Sequence, residues 1–326
     1  MMSENKKIIV VIPAYKVSKF VCSLIEKIGP EVSNIIVVDD CCPEQSGEVV
    51  KKHFLNQERV IVVSHPENRG VGGAMVTGYK AALELNADII VKLDGDGQMD
   101  PVLIESLVEP IVSGQADYSK GNRFFMIESL KSMPPIRIFG NAALSFVSKF
   151  AHGYWNIMDP TNGFIAIHST VLRCIPLEKL EHRYFFENDM LFRLSTLRAV
   201  VVDVPMDSSY GEEESNLNIA NVISEFPPKF FIRVCKRIGY NYFLRDFTAC
   251  SLELIIGFVL FVFGFIFGIT HWISSAENGD VASAGTVMLA GLPILVGLNL
   301  LIAALSYDIS NVPVRPLQTI LKKRVK

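Results

Sequence analysis

Two long apolar stretches near the C-terminal end constrain the fold of this chain more than any other feature. Leu252–Trp272 and Gly285–Tyr307 each have about 20 residues, enough to cross a hydrocarbon core ~30 Å thick. The alternative is a pair of buried core helices, but helices that are apolar on all sides rarely pack inside a domain of this size. We therefore predict two transmembrane helices, at 251–273 and 284–308.

Basic residues flank both apolar stretches, whereas the loop between them contains Glu277 and Asp280 and neither Lys nor Arg. The flanking residues are Lys229, Arg233, Lys236, Arg237 and Arg245 before the first stretch, and Arg315, Lys322, Lys323, Arg324 and Lys326 after the second. The positive-inside rule then places both ends in the cytoplasm. We predict a multi-pass protein of the inner (cytoplasmic) membrane with a cytoplasmic catalytic domain. An interfacial amphipathic helix region at 227–250 and a basic tail at 309–326 complete this organisation.

Residues 1–226 have the composition of a globular domain and alternate apolar runs with helical patterns. Continuous apolar strands separated by helices are typical of a parallel sheet covered on both faces, so we predict an α/β fold. The strand-like runs are Ile8–Ile12, Ile35–Val38, Val60–Val63, Ile89–Leu93, Gly163–Ile167 and Ala199–Val204, and the helical ones are Ser18–Ile28, Gln45–Phe54, Val71–Leu85, Pro101–Val112, Arg137–Phe150 and Phe186–Leu197. The formal net charge of −3 gives no indication of a nucleic-acid partner, and six cysteines without a C-x-x-C pair indicate neither a zinc site nor a redox motif.

Asp94 and Asp96 follow the fourth apolar run and are separated by a glycine. Mg²⁺ and Mn²⁺ favour carboxylate oxygens and complete their coordination with substrate phosphates. Such an ion stabilises the charge that develops on a leaving diphosphate. A solvated acidic turn is the alternative, but ligands of parallel sheets bind at the carboxyl ends of strands, which favours a metal site. Asp100, just before Pro101, is expected to cap a helix instead.

Two further polar segments lie at strand ends. Asp39-Asp40 ends the second run, where a carboxylate can accept hydrogen bonds from a nucleobase or from ribose hydroxyls; a capped turn is the alternative. Asn68-Arg69-Gly70-Val71-Gly72 opens a helix, and its glycines and helix N-terminus favour an anion, with a structural tight turn as the alternative. Met75 stands at the last position of the dinucleotide fingerprint, so that motif is not met.

The ordered set of motifs resembles family 2 glycosyltransferases with the GT-A fold. The set is Ile12-Pro13-Ala14-Tyr15, Val38-Asp39-Asp40, Glu67-Asn68-Arg69-Gly70, Asp94-Gly95-Asp96 and Asp159-Pro160-Thr161-Asn162-Gly163-Phe164. With its two apolar stretches, the chain is most similar to the polyprenyl-phosphate branch, which includes dolichol-phosphate mannose synthase and undecaprenyl-phosphate glucosyltransferases. The resemblance implies a GT-A catalytic domain, Rossmann-like with a mostly parallel sheet, followed by two transmembrane helices.

The resemblance also implies a role for each matched position. Metal ligation falls on Asp94 and Asp96, and the nucleotide-sugar contacts fall on Pro13, Ala14, Tyr15, Asp39, Asp40, Asn68, Gly70, Gly72, Asp94, Arg123 and Asn162. The expected catalytic carboxylates are Asp94, Asp96, Asp159, Glu187 and Asp189. For Glu187 and Asp189 the alternative is an acidic pair stabilised by a helix dipole. The sequence departs from the family at Cys41-Cys42, where Gly-Ser is usual, and at Ser209–Ser215.

The reaction that the resemblance implies is inverting, metal-dependent transfer of a sugar from a nucleotide-sugar to a polyprenyl phosphate in cell-envelope glycan synthesis. A UDP-sugar and undecaprenyl phosphate are favoured, while the sugar and the lipid length stay open. An arginine fork can hold a phosphate, so Arg123, Arg137 and Arg237 are candidates for the acceptor site; simple headgroup contact is the alternative for Arg237. Three rival functions are a polysaccharide synthase acting on a hydroxyl, a non-catalytic nucleotide-sugar-binding protein and a nucleotidyltransferase. The expected partners are the donor, the lipid acceptor and the bilayer; a homo-oligomer stays open.

Overall fold

The structure is a computed structural model that describes residues 6–125, 135–206 and 219–321, without the side chains of 135–139 and 219–223. Its strands are β1 Ile8–Ala14, β2 Val32–Asp39, β3 Val60–Ser64, β4 Ile89–Lys92, β5 Tyr118–Asn122, β6 Ile165–His168 and β7 Val201–Pro205. Its helices are α1 Val21–Glu26, α2 Ser46–His53, α3 Gly70–Glu84, α4 Ile104–Val112, α5 Pro135–His152, α6 Ser169–Leu172, α7 Phe186–Leu197, α8 Ile219–Gly239, α9 Ala249–Asn278, α10 Ala284–Ser310 and α11 Leu317–Leu321. A π-helical turn, Tyr240–Arg245, follows α8.

The described strands form one mixed, mostly parallel sheet in the order β3-β2-β1-β4-β6-β5-β7. Strands β1 to β4 are parallel to one another where they pair, and β6 runs antiparallel between β4 and β5. This arrangement confirms the predicted fold class. Because β6 is reversed, its first residues lie at the same edge of the sheet as the last residues of β1, β2, β4 and β5.

The two faces of the sheet bury alternate residues of the same apolar strands. On one face, Val10, Val37 and Val91 belong to a core that also contains residues of α1, α2 and α4. On the other face, α3 packs closely on β1, where a Cβ at Gly78 would overlap the Val11 side chain. Burial on both sides explains why β1, β2 and β4 are apolar runs rather than alternating patterns.

Strand β5 was not among the predicted strands. Its residues Ser119, Lys120 and Asn122 are polar, although the whole strand is buried. Ser119 donates a hydrogen bond to the Leu107 carbonyl and the Lys120 ammonium donates to the Asn162 carbonyl. A search for apolar runs could not find this strand, because most of its residues are polar. Their hydrogen-bond partners come from other parts of the chain.

The chain divides into two compact units, residues 1–234 with 313–326, and residues 235–312. The boundary falls inside α8, a little beyond the predicted domain end at 226. In the first unit, Phe226 and Phe230 of α8 pack against Phe185, with ring centroids 5.1 and 5.0 Å from its ring. One face of α8 is therefore buried against the rest of the first unit, which differs from a helix that lies wholly on a membrane surface.

The second unit is a hairpin of α9 and α10, which have 30 and 27 residues and mean hydropathies of 2.6 and 2.3. Both are long and apolar enough to cross a membrane, and only 11% of the most apolar window of each is buried, which differs from a core helix. A Cβ at Gly257 would lie 3.0 Å from the Gly297 carbonyl oxygen, and one at Gly264 would lie 2.7 Å from that of Ala290. Small residues at such contacts allow the close backbone approach found in membrane helix pairs.

The chain returns to the first unit after the hairpin. The backbone N–H groups of Leu317 and Gln318 each donate to the buried Asp117 carboxylate at 2.8 Å, just before β5. The Gln318 side-chain amide donates to the carbonyls of Ile111 and Ala116 at 2.9 and 2.5 Å. The predicted basic tail at 309–326 thus contains a docked segment, α11.

Candidate active site

The motifs predicted to carry function lie at one edge of the sheet. Strands β1, β2, β4 and β5 end there, and the loop that leads into the reversed β6 begins there. The residues that this edge brings near one another are Ala14, Asp39, Asp94, Asn122 and the segment Asp159–Phe164. Loops at the carboxyl ends of strands are the usual ligand-binding region of such sheets.

Asp39 belongs to the turn between β2 and α2. Its two carboxylate oxygens accept hydrogen bonds from the backbone N–H groups of Cys42 and Gly47, at 2.8 and 2.7 Å. The carboxylate thus holds the first turn of α2, which is the turn-capping alternative. On the neighbouring strand β1, Pro13 and Ala14 are largely covered, whereas Tyr15 exposes 41% of its surface at this edge.

Asp40 is more deeply buried and joins the loop before α3 to the sheet. Its carboxylate accepts hydrogen bonds from the N–H groups of Arg69 and Gly70, at 2.8 and 2.7 Å, and from His65 Nδ1 at 2.8 Å. The Asn68 side-chain amide donates to the Asp40 carbonyl at 3.3 Å. Asp40 therefore fixes the position of the glycine-containing segment that was predicted to contact the donor.

The N-terminus of α3 has a different partner from the predicted anion. The N–H groups of Gly72 and Gly73 donate to the His182 carbonyl at 2.7 and 3.2 Å. A Cβ at Gly72 would overlap the Glu181 carbonyl, and Gly70 has a φ of +78° that favours glycine. The glycines are needed because this chain's own backbone approaches α3, so the structure supports the tight-turn alternative.

Asp94 and Glu187 meet at the buried ammonium of Lys92. Lys92 Nζ lies 2.6 Å from Asp94 Oδ1 and 3.3 Å from Glu187 Oε1, and it donates to the Gly163 carbonyl at 3.3 Å. Burial acts to lower the pKa of Lys92, but the Asp94 and Glu187 carboxylates outweigh burial and raise that pKa above its ordinary value. The contact places Glu187, from α7, beside the predicted metal-binding turn.

The turn after β4 offers oxygen ligands that suit a hard divalent ion. Asp94 and Asp96 are both half-buried, and the N–H of Gln98 donates to Asp96 Oδ1 at 3.0 Å, which holds the turn. Gly163 leaves room for Asp94, because a Cβ there would overlap Asp94 Oδ2. Among the described residues no group of three metal-ligating side chains is assembled. The carboxylates therefore fit an ion that takes further ligands from substrate phosphates.

Arg123 and Asp159 form a two-pronged ion pair at the same edge. Arg123 Nε lies 2.7 Å from Asp159 Oδ2, and an Arg123 terminal nitrogen lies 3.1 Å from Oδ1. Asp159 is fully buried, so this pairing neutralises a carboxylate that would otherwise be costly to bury. Asn162, nearby, accepts a hydrogen bond from the Phe164 N–H at 2.9 Å and donates to Met206 Sδ at 3.0 Å.

Asp189 lies two residues from Glu187 but belongs to a separate network. Its carboxylate accepts hydrogen bonds from Arg193 Nε and Arg233 Nε, both at 2.9 Å, and from the Glu181 N–H at 3.2 Å. Arg233 and Lys229 of α8 also pair with Glu181 at 2.9 Å each. Asp189 thus joins α7 to α8, which supports a structural role, and its role as a catalytic carboxylate stays a prediction.

The three arginines predicted to bind the acceptor phosphate differ in their positions and partners. Arg123 is at the edge and pairs with Asp159, as described. Arg237 lies in the second unit, where its terminal nitrogens lie 2.6 and 3.0 Å from the Asp308 carboxylate oxygens. The Tyr242 hydroxyl donates to the same carboxylate. Arg237 therefore has a structural partner within the hairpin unit, and the side chain of Arg137 lies outside the described residues.

Residues 9–176, just over half of the chain, match the family model described as "Glycosyl transferase family 2". The chain belongs to that family. It is a glycosyltransferase, and the family predicted from the order of the motifs is confirmed. The match covers β1 to α6 and therefore the predicted metal-binding turn and Asp159, whereas Glu187 and both apolar helices lie beyond it.

Two curated relatives of this family 2 glycosyltransferase act on polyprenyl phosphates according to their names. One is the UDP-N-acetylglucosamine–dolichyl-phosphate N-acetylglucosaminyltransferase of Methanococcus voltae, 30% identical over 221 residues that cover 64% of this chain and 88% of the relative. The other is the undecaprenyl-phosphate mannosyltransferase of Micrococcus luteus, 28% identical over 203 residues that cover 61% of this chain and 82% of the relative.

Solved structures share the fold at low sequence identity. Glucosyl-3-phosphoglycerate synthase from Mycobacterium tuberculosis, in complex with Mn²⁺ and UDP-glucose, has a TM-score of 0.54 and 19% identity, covering 72% of this chain and 80% of that one. Mannosyl-3-phosphoglycerate synthase from Rubrobacter xylanophilus has a TM-score of 0.55 and 16% identity, covering 74% and 77%. These likenesses support the GT-A fold of this glycosyltransferase.

Sequence reasoning gave no role to three charged residues of this glycosyltransferase: Lys92 and Lys120, which are buried, and Asp203, which is half-buried. Lys92 interrupts the apolar run Ile89–Leu93, and a lysine inside such a run could have indicated a buried charge that needs a partner. Burial lowers the pKa of Lys120 on β5 to about 8, although Asp159 and Glu187 act in the opposite sense. Burial also raises the pKa of Asp203 on β7 to about 6, while the Met158 N–H acts against this shift. Lys120 stands in β5, whose burial only the sheet order reveals, whereas Asp203 stands in the half-buried edge strand β7.

Proposed function

We propose that this glycosyltransferase moves a sugar from a nucleotide-sugar to the phosphate of a polyprenyl phosphate at a membrane, with Mg²⁺ or Mn²⁺. The observation that carries the proposal is the combination of a family 2 catalytic unit with a hairpin of two apolar helices in one chain. Both curated relatives named above act on a polyprenyl phosphate. A UDP-sugar is the first donor to test, because the relative with 30% identity is named for UDP-N-acetylglucosamine.

The proposed donor site runs along the edge of the sheet. Pro13, Ala14 and Tyr15 would contact the nucleoside beside the turns held by Asp39 and Asp40. The segment around Asn68, Gly70 and Gly72 would act indirectly, because its glycines pack against residues 181–182. Arg123 and Asn162 would face the diphosphate and the sugar, with Asp159 holding Arg123 in place.

Asp94 and Asp96 would hold the divalent ion, which when bound supplies positive charge to the leaving diphosphate. A lipid phosphate oxygen attacks the anomeric carbon, the bond to the diphosphate breaks, and a single displacement inverts the configuration. A phosphate monoester is already anionic near neutral pH, so the attacking group does not require a general base. Glu187 can then orient the sugar or Lys92 rather than accept a proton, and positioning supplies much of the rate enhancement.

The acceptor phosphate would bind next to the Arg123–Asp159 pair. Arg123 is the predicted acceptor residue that lies at the described edge, and a phosphate there would have to share the guanidinium with Asp159. Arg137 remains a candidate that belongs to α5. Arg237 is no longer favoured, because Asp308 already occupies its fork.

We propose that the hairpin crosses the inner (cytoplasmic) membrane twice, at 251–273 and 284–308, with the catalytic unit in the cytoplasm. The chain leaves the first unit at residue 234 and rejoins it at 313, which supports two crossings rather than one. The acidic connecting loop and the basic flanks support the orientation.

The deciding experiment incubates the full chain, purified in neutral detergent, with a panel of nucleotide-sugars, undecaprenyl or dolichyl phosphate, and Mn²⁺ or Mg²⁺. Mass spectrometry should find a polyprenyl-phosphate sugar with one donor, and EDTA should abolish it. The matched acceptor control is the corresponding polyprenol without phosphate. Transfer to that alcohol, or equal transfer in EDTA, would contradict the proposal.

A further inference from the structure

Lys92 is a fully buried ammonium whose polar contacts all lie within the proposed site. It exposes 1% of its side chain, and its nitrogen contacts Asp94 at 2.6 Å, Glu187 at 3.3 Å and the Gly163 carbonyl at 3.3 Å. Because both carboxylates contact one nitrogen, their nearest oxygens lie within about 6 Å of each other. A single cation therefore serves two acids, one of which is a proposed metal ligand.

Removing that ammonium would leave two like charges close together, and a third acid, Asp96, follows Asp94 in the same turn. Like charges in a poorly solvated site repel strongly, and a divalent ion relieves the repulsion. With the ammonium in place, an approaching ion meets a positive charge already bound to one oxygen of Asp94. The charge on Lys92 should therefore weaken metal binding to the carboxylates alone.

The side chains of the described residues are consistent with a metal site that is complete only when the nucleotide-sugar donor is bound. They assemble no three-ligand group for a metal. A nucleoside diphosphate would add both phosphate oxygens as ligands and negative charge, which offsets the repulsion from the ammonium.

We propose that Lys92 is a built-in counter-cation that keeps Asp94 and Glu187 from holding a divalent metal alone, so that the metal binds together with a nucleoside diphosphate. Lys92 is thereby a positioning residue, since it acts through Asp94. The inference rests on the metal-dependent transfer proposed above.

Lys120 provides a matched control for a merely structural role. Both lysines are fully buried, and in the sheet register each pairs with Ile165, on opposite sides of β6. The Lys120 ammonium donates to the Asn162 carbonyl and not to Asp94. Loss of either lysine can change stability, but loss of Lys92, which contacts Asp94 directly, should change metal affinity far more than loss of Lys120, which Glu187 reaches only at longer range.

The test measures Mn²⁺ binding to the full chain in neutral detergent by electron paramagnetic resonance, with and without UDP. The wild type should bind Mn²⁺ roughly tenfold or more tightly with UDP than without it. Lys92→Met should bind Mn²⁺ without UDP roughly tenfold or more tightly than the wild type. Lys92→Arg, which keeps the charge, and Lys120→Met should both stay within about threefold of the wild type without UDP.

Unchanged or weaker UDP-free binding by Lys92→Met would overturn the inference while leaving the proposed function intact. If Lys92→Met does not fold, as judged by thermal unfolding, Lys92→Gln is measured by the same criterion, since it keeps an N–H donor without the charge. If the wild type binds no Mn²⁺ even with UDP, the inference and the proposed metal dependence both fail.

Discussion

One carboxylate oxygen of Asp94, Oδ1, contacts the Lys92 ammonium, and the missing side chain of Gly163 leaves the space that Oδ2 occupies. Asp96, two residues later in the same turn, accepts a hydrogen bond from the Gln98 N–H. Neither carboxylate belongs to the hydrophobic core, but Asp94 also neutralises the buried Lys92 ammonium, so the chemistry of Asp96 is the easier of the two to separate from the stability of the fold.

Asp94→Asn and Asp96→Asn should each lower the transfer rate by about 100-fold or more, because several kcal/mol of charge stabilisation on the leaving group are lost. Thermal unfolding should change little for Asp96→Asn, whereas Asp94→Asn should also lower the melting temperature, because it leaves the buried Lys92 ammonium with Glu187 as its remaining carboxylate. The rate is measured as glycolipid formed per minute at saturating Mn²⁺. Asp100→Asn is the control, because Asn replaces Asp well as an N-cap and Asp100 caps the turn at Val102. Rates within tenfold of the wild type for either metal-ligand variant would exclude metal-assisted departure.

Asp203 should make stability depend on pH in the direction opposite to most carboxylates. Burial raises its pKa from 3.8 to about 6, so the folded protein holds this proton more tightly than the unfolded chain. The stability that this proton contributes is fully present below pH 3.8 and is lost as the pH rises towards about 6. Asp203→Asn should therefore melt at a higher temperature than the wild type at pH 7.5, and this advantage should shrink at pH 4.5. An equal difference at both pH values would contradict the assignment.

Helix α7 shows how one element serves two functions on different faces. Glu187 points to Lys92 at the site, whereas Asp189 holds Arg193 and Arg233 and so ties α7 to α8. Residues two positions apart on a helix do not share a face, so Glu187 and Asp189 reach different partners. Helix α8 likewise has two sets of partners. Its residue Arg233 pairs with Asp189 of α7, whereas its residue Arg237 pairs with Asp308 of α10.

Arg237→Ala should destabilise the hairpin unit by about 3–5 kcal/mol, because it leaves a buried carboxylate without its cation. The measurement is thermal or denaturant unfolding in neutral detergent. Lys236→Ala, at the exposed neighbouring position, should change stability by about 0.5 kcal/mol or less. A raised KM for lipid phosphate with unchanged stability would instead restore Arg237 to the acceptor site.

At the scale of the whole molecule, the segments that precede and follow the hairpin unit both belong to the first, catalytic unit. The returning segment is anchored by Asp117 and Gln318, which are both buried. This arrangement constrains topology without reference to charge, because a chain that returns to its starting unit must cross a membrane an even number of times.

A cysteine at Asn278 should be labelled by a membrane-impermeant maleimide only from outside the cell. The background variant carries Ser at the exposed Cys41, Cys174 and Cys235. Thr319→Cys in the same background is the internal comparison and should react only after the membrane is opened. Labelling of position 278 from the cytoplasmic side alone would rule out the proposed topology.

Gln318→Ala should destabilise the catalytic unit by about 1–3 kcal/mol, because two buried carbonyls lose their donor. Unfolding is followed in the full chain by near-ultraviolet circular dichroism. The exposed neighbour provides the comparison, and Thr319→Ala should have a small effect. Equal stability of the wild type and Gln318→Ala would show that α11 does not anchor the tail.

The sequence by itself predicted the parts of the molecule that depend on local pattern. Apolar runs of strand length placed β1 to β4, and α7 was predicted with its observed bounds, Phe186–Leu197. The long apolar stretches predicted α9 and α10, because about 20 consecutive apolar residues form a helix long enough to cross a membrane. Acids that follow a buried strand must lie at its end, which is why the proposed metal-binding turn could be placed at the edge of the sheet before any tertiary contact was known.

Only the tertiary structure decided which side chains meet. The polar strand β5 is buried because its partners come from elsewhere in the chain. The glycines of α3 face His182 rather than an anion, Glu187 joins Lys92, and Asp189 joins Arg233. Periodicity reports how each element is buried but does not report which elements are neighbours. Buried charges are stable only beside partners, so their roles became visible when the sheet order brought those partners together.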